Sequence, residues 1–338
     1  MTEPARSWLT LVAPYQVPNT RKAVWQVATA FLAYTAMWAA MAYGLRIHYL
    51  VTLACSVPAI GMLVRIFIIQ HDCGHGSFTK SKRANDAIGF VCGVVTLTPY
   101  AYWRYNHAIH HATASQLEKR GTGDVWTLTI DEYARLPRWR QFQYRVVRSA
   151  FFLFLIAPLA QFVVLQRFPW NGPWRLTRRN VGILWTNFFL LLIYAALIHW
   201  IGWKSFVLIQ LPLVALMGGV GMLLFYVQHQ FEGTYWAKAE EWDYETAALR
   251  GSSFFKLPRI LQWFTGNIGF HHIHHLSHRI PNYNLQRCHD DIPRFRNVNV
   301  ITLRSCLRTF NLQLWDEKRQ QLVSMREANR RQRAQAQA

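Results

Sequence analysis

A chain of 338 residues could hold one large domain or two ordinary ones, so length decides little. Hydrophobic residues make up 52% and charged residues 16%, against roughly 25% charged in soluble domains, which argues against a soluble globular protein. Thirty-seven Lys and Arg against seventeen Asp and Glu give a net charge of +20. That charge suits lipid headgroups or an acidic protein partner, whereas no RNA-binding signature or zinc-finger spacing supports nucleic acid.

In chain order, residues 24–43 carry no charge over a length that spans a hydrocarbon core as a helix. The run is too long for a signal-peptide core, so a retained span is expected. Residues 47–70 form a second span, with Arg65 near its end. Residues 181–201 and 205–228 form another pair, joined by the turn 202–204. Residues 149–166 are also uncharged but carry Pro158 mid-segment.

Lys and Arg concentrate in the loops on the cytoplasmic side of a membrane. Eleven of them fall in residues 71–148, and Arg6, Arg21 and Lys22 precede the first span. Arg167, Arg175, Arg178 and Arg179 precede the third, whereas the two intervening turns hold only Arg46 and Lys204. Both flanks of 149–166 are basic, so that segment is expected to be re-entrant or interfacial, as is 87–98. The expected architecture is an all-α integral membrane protein of four spans in two hairpins. A helical cap, both termini and the site lie on the cytoplasmic side of the inner (plasma) membrane. Residues 1–325 read as one domain and 326–338 as a polar, solvated tail.

The five cysteines (55, 73, 92, 288, 306) form no Cys-x-x-Cys pair, so neither a disulfide framework nor a zinc clip is indicated. Histidine is the informative residue. One His near a membrane helix is ordinarily a packed or interfacial side chain. Here ten of fourteen cluster: His71 and His75; His107, His110 and His111; His229; His271, His272, His274 and His275. His71/His75, His107/His111 and His271/His275 are four apart, and His110 and His274 are each three from the first of their cluster. Such spacing sets imidazoles on one helix face, able to converge on a point. By the loop-charge argument all four places emerge on one membrane face. His71, His75, His107, His110, His111, His229, His271, His274 and His275 exceed the needs of one ion, and two ions suit them better. His272 lies off the shared face, where an orienting or structural role is expected.

His71-Asp72-Cys73-Gly74-His75, His107-Ala108-Ile109-His110-His111 and His271-His272-Ile273-His274-His275 resemble the three histidine boxes of membrane fatty acid desaturases. The similarity extends through RIFIIQHDCGHGSF, HHATASQLEKRGTGDVW, FYVQHQFEGTYW, GSSFFKLPRILQWFTGNIGFHHIHHLSHRIPNYNL and LWDE. It covers residues from about 20 to 325 and is nearest to bacterial acyl-lipid (phospholipid) desaturases of the cold-induced delta-5 type. The resemblance implies two non-haem iron ions, O₂ as oxidant and insertion of a cis double bond. It also implies that His229 is the extra ligand preceding the third box. Acyl-CoA desaturases carry a water-linked Asn one turn before that His, where this chain has Phe225.

An unactivated methylene offers no acid or base handle, so a metal–oxygen oxidant must do the hard chemistry. Carboxylates are expected to orient the outer ring nitrogens of the ligands, with Asp72, Asp124, Glu232 and Asp290 as candidates. Asn267, Tyr100, Tyr102, Trp103 and Trp126 are expected to line the approach of an acyl chain, although interface packing also explains such aromatics. No haem-binding His-Pro-Gly-Gly, dinucleotide fingerprint or iron–sulfur cysteine set occurs, so a separate ferredoxin or flavodoxin is expected to supply electrons. Membrane phospholipid is the expected acyl carrier. The alternatives are hydroxylation on the same scaffold, as in alkane or carotenoid hydroxylases, and a His-rich metal transporter or receptor. The latter would place its polar residues near the bilayer midplane.

Overall fold

A computed structural model describes residues 7–121, 124–170 and 175–337. Arg6, Thr122, Gly123 and residue 338, which enter the expectations above, lie outside them.

Four helices are long and apolar enough to cross a membrane. After the short α1 (Trp8–Val12), α2 (Thr20–Gly44) starts where the Asn19 side chain accepts the Lys22 amide. It returns as α3 (Tyr49–His75), which the left-handed Gly76 (φ 71°) stops. The packed α2–α3 pair is the first hairpin. The second joins α9 (Arg178–Ile201) to α10 (Trp203–His229) through Gly202, whose φ of 80° suits a residue without Cβ. The helices are not equivalent. The apolar windows of α3 and α10 are 61% and 44% buried, against 22% and 17% for α2 and α9. α3 and α10 therefore form the inner pair, packed around Leu63, Leu213, Met217 and Val227. Both outrun the expected apolar stretches 47–70 and 205–228, carrying His71, His75 and His229 out on continuous helix.

Between the hairpins, α4 (Lys82–Val95) packs on α3 and α9, and α5 (Tyr100–Thr113) on α9. Then come α6 (Ile130–Arg135) and α7 (Arg138–Val147). The segment 149–166 winds as a π-helical turn, Phe152–Ile156, into α8 (Ala157–Val163), bent 59° from α7. It lies against α10, where Gly218 admits Pro158 and Phe162.

Beyond α10, the cap comprises α11 (Tyr244–Arg250), α12 (Arg259–Phe264), α13 (His271–Leu276), α14 (Asn282–Asp291) and α15 (Cys306–Thr309). It is not purely helical. Strands β1 (Leu128–Thr129), β4 (Leu314–Asp316) and β5 (Gln321–Val323) form one sheet, ordered β1-β4-β5. Strands β2 (Phe254–Lys256) and β3 (Val300–Thr302) pair in parallel. Strands of two or three residues are too short to show an alternating pattern, which is why an all-helical cap was expected. The last helix, α16 (Met325–Gln337), is docked by buried Ala328 and by Arg331, which pairs with Asp316 and Glu327.

A Cβ at Gly219 would lie 2.5 Å from the Phe154 carbonyl oxygen, so this residue sets how closely the π-helical turn approaches α10. Gly219→Val is expected to cost about 1–3 kcal/mol through overpacking, read as a lower thermal midpoint in detergent. Gly221→Ala, whose added carbon meets nothing within 4 Å, is expected not to lower it.

Candidate metal centre

The nine clustered histidines reach one place from four helices. His71 and His75 occupy the last turns of α3, and His229 is the final residue of α10. His107, His110 and His111 lie along α5, and His271, His274 and His275 on the short α13. Six residues cannot hold a helix alone, and α13 is fixed by its surroundings. Ile273 and Leu276 are buried against Leu285 and Phe295, and the Tyr244 hydroxyl donates to the His275 carbonyl at 2.9 Å.

The rings divide into two adjoining groups. His71, His75, His107, His111 and His274 form one; His110, His229, His271 and His275 form the other. Within each group one nitrogen of every ring lies within 4.8 Å of the rest. The second and third boxes straddle both, with His111 stacked on His275 at 4.3 Å. Nε2 atoms approach closely: 3.1 Å for His107–His111, 3.0 Å for His111–His274, 3.2 Å for His110–His229 and 3.0 Å for His229–His271. Nitrogens at right angles on one ion with bonds of about 2.1 Å would be separated by about 3 Å. Nε2 of His75 and His275 are buried with no hydrogen-bond partner among the described residues. Burial holds His107, His111, His271, His274 and His275 well below the usual imidazole range, with neighbouring histidines adding to the effect. Neutral, convergent and incompletely partnered nitrogens are what a pair of metal ions requires, and imidazole suits Fe as well as Zn, Cu or Ni.

Two carboxylates orient the rings. Asp72 Oδ1 accepts from His71 Nδ1 at 3.0 Å, and Asp124 Oδ1 from His110 Nδ1 at 2.8 Å. A carboxylate only accepts, so each Nδ1 carries the proton and each Nε2 presents a lone pair inward. The other expected carboxylates are not brought to the site. Glu232 and Asp290 are exposed, and among the described residues neither hydrogen-bonds or ion-pairs with a box histidine. Glu232 is three residues past His229, but α10 ends there and the helical-face relation ends with it. His272 turns away from both groups, its Nε2 3.2 Å from His289 Nδ1. Burial, with His289 beside it, pushes its pKa down to about 3.

A cleft of about 410 Å³ opens beside the rings, with His71, His107, His110 and His271 in its lining. Phe67, Ile68, Met217, Leu224 and Phe225 from the inner helices, with Pro158 and Phe162 of α8, make its walls. Of the aromatics expected there, Tyr102 and Trp103 line it, and Trp103 stacks on His107 at 4.5 Å. Tyr100 instead donates to the Cys73 carbonyl at 2.8 Å, Trp126 packs on Tyr144, and Asn267 lines a separate pocket. Phe225 rests 5.2 Å from both His110 and His229, so a ring occupies the position of the amide in acyl-CoA desaturases.

Two contributors were not foreseen. His278 lies 5.0 Å from His75 and 5.7 Å from His111, ring to ring. Its four-residue spacing from His274 was the available signal, but α13 stops at Leu276 and a turn delivers it. Asn282 donates to Asp72 Oδ2 through its amide at 2.6 Å and its side chain at 2.8 Å, and Gln26 holds it from α2.

The fatty acid desaturase family profile matches residues 47–304. A fatty acid desaturase of Bacillus subtilis is 45% identical over 315 residues, covering 93% of this chain and 89% of that protein. The sn-1 oleoyl-lipid 12-desaturase of Synechocystis is 26% identical, covering 75% of this chain and 70% of the relative. The sn-1 acyl-lipid omega-3 desaturase (ferredoxin) of the same organism is 25% identical, covering 67% and 63%.

Asp124→Asn keeps the shape but removes the charge that fixes the His110 tautomer. It is expected to weaken metal affinity about ten- to hundredfold, read as iron per chain by inductively coupled plasma mass spectrometry after dialysis against a chelator. Glu232→Gln is expected to retain the wild-type content.

Proposed function

Because the chain belongs to the fatty acid desaturase family, we propose that it inserts a cis double bond into an acyl chain of a membrane phospholipid, using O₂ and two iron ions. The observation that carries this reading is that members of both histidine groups line a mostly apolar cleft. His71, His75, His107, His111 and His274 would hold one ion, and His110, His229, His271 and His275 the other. Bound iron would supply the O₂-dependent oxidation that removes hydrogens from neighbouring methylenes, chemistry that side chains lack.

The chain's own residues do the rest. Phe67, Ile68, Met217 and Leu224 offer methylenes an apolar wall and exclude water from the reacting segment. Tyr102 and Trp103 narrow the cleft beside His107, which limits how a chain can lie against the rings. Asp72 and Asp124 retain the Nδ1 protons of His71 and His110 and so keep the opposite nitrogens available. A phospholipid carrier is supported by the Synechocystis relatives, whose names specify acyl-lipid and oleoyl-lipid substrates. One of those names also specifies ferredoxin. With this chain at +20, an acidic ferredoxin or flavodoxin suits the role of separate electron donor. Lys and Arg crowd the loops on the histidine side of the spans, so that side is read as cytoplasmic, at the inner membrane.

Expression in a bacterial host lacking its own desaturase is expected to yield a new unsaturated fatty acid in the phospholipid fraction, absent with His110→Ala. A hydroxy-acyl main product would overturn the reading. Gly221 borders the cleft, and a side chain there would project into open space. Gly221→Leu is therefore expected to shift products toward shorter acyl chains while iron content stays unchanged, as read by gas chromatography of the lipids.

A further inference from the structure

A second pocket, of about 480 Å³, lies on another side of α3 from the acyl cleft. Lys22 and Gln26 of α2, Arg65 of α3, Arg259, Gln262 and Trp263 of α12, and Asn282 of α14 contribute to its lining. Its composition is one-sided. Three cations face it, no Asp or Glu lines it, and none of the three has a carboxylate partner among the described residues.

Arg65 is the most telling of them. It is only 6% exposed, six residues before His71 and so about 9 Å further along the helix, within a span. Its guanidinium stacks over the Trp263 ring at 4.2 Å, and Nη1 donates to the Trp263 carbonyl. Nε is buried with no partner. A buried guanidinium in a membrane helix ordinarily finds an anion, because leaving the charge unpaired there is costly. Among the described residues no side chain provides one.

We propose that this pocket binds a phosphate group, and that the group is the headgroup phosphate of a membrane phospholipid. Phosphate matches the set better than a carboxylate does: a planar guanidinium, two further cations and the side-chain amide of Gln286 supply donors from several directions. The rim favours a lipid as its source. Trp25 is 71% exposed and Trp263 44%, and aromatic rings of this kind settle at the headgroup level of a bilayer. The site stands apart from the acyl cleft and does not rest on the desaturation reading.

The test is native mass spectrometry of the full chain in mild detergent, titrated with phosphatidylglycerol or with diacylglycerol of the same acyl chains. Lys22 and Arg259 are exposed, so Lys22→Gln/Arg259→Gln removes two charges without touching the core. The double variant is expected to bind phosphatidylglycerol about tenfold more weakly or worse, with diacylglycerol binding unchanged. Displacement of the lipid by millimolar inorganic phosphate would keep the phosphate site but assign it to free phosphate as well; no displacement would tie it to the lipid. Equal phosphatidylglycerol binding by wild type and double variant overturns the proposal. So does an equal loss in Arg138→Gln/Arg140→Gln, two exposed residues outside the pocket, because diffuse surface charge would then account for the binding.

Discussion

The constraint on which the rest of the structure depends is that nine imidazoles converge on one place, in two groups whose ring nitrogens lie within 4.8 Å of one another. Protonated rings at such separations would repel one another, and neutral rings with random tautomers would waste their acceptors. Burial disfavours the protonated form of His107, His111, His271, His274 and His275, and Asp72 and Asp124 settle the tautomer of His71 and His110. The inner helices then have to be long. Each runs past its apolar stretch so that a rigid helix, rather than a loop, carries His71, His75 and His229 to the meeting point. A ligand held on a helix loses little freedom when the ion binds.

The Asp72 carboxylate joins parts of the chain that are far apart in sequence. One oxygen takes the proton of His71, and the other takes two hydrogen bonds from Asn282, which Gln26 and Asn267 hold in turn. Helices α2, α3 and α14 thus converge on a single carboxylate. This places α14, and the α13 box just before it, in register with the first box. It also makes Asn282 a shared wall between the metal centre's support and the cationic pocket behind α3.

Much of this was legible in the sequence, for identifiable reasons. Apolar run length gives the four spans, and the recurrence of His at three and four residues gives the boxes, because both signals are local and periodic. Asp72 and Asp124 could be anticipated as carboxylates close to boxes, but Glu232 met the same criterion and failed it in space, since the helix ends at His229. His278 and Asn282 escaped notice because turns deliver them, and a turn has no period to read. Gln26 is a neutral amide in an apolar helix, and its partner lies 256 residues away. Two- and three-residue strands leave no pattern at all. The aromatics show the same limit: Trp103 and Trp126 look alike in the sequence, yet only Trp103 lines the cleft.

Helix α8 forms part of one wall of the cleft while bearing none of the clustered histidines. Part of the cleft lining is therefore carried by a piece of chain separate from the histidines, and the rest by α3, α5 and α10, which bear them. The inner helices, α5 and α13 carry the clustered histidines, so a change there disturbs the candidate site and the packing together. The segment 152–163 packs on α10 at Gly218 and Gly219 and at Tyr226, and none of the clustered histidines lies on it. On the proposed reading, such a division would let a lineage reshape one wall of the cleft while the histidine cluster is inherited intact.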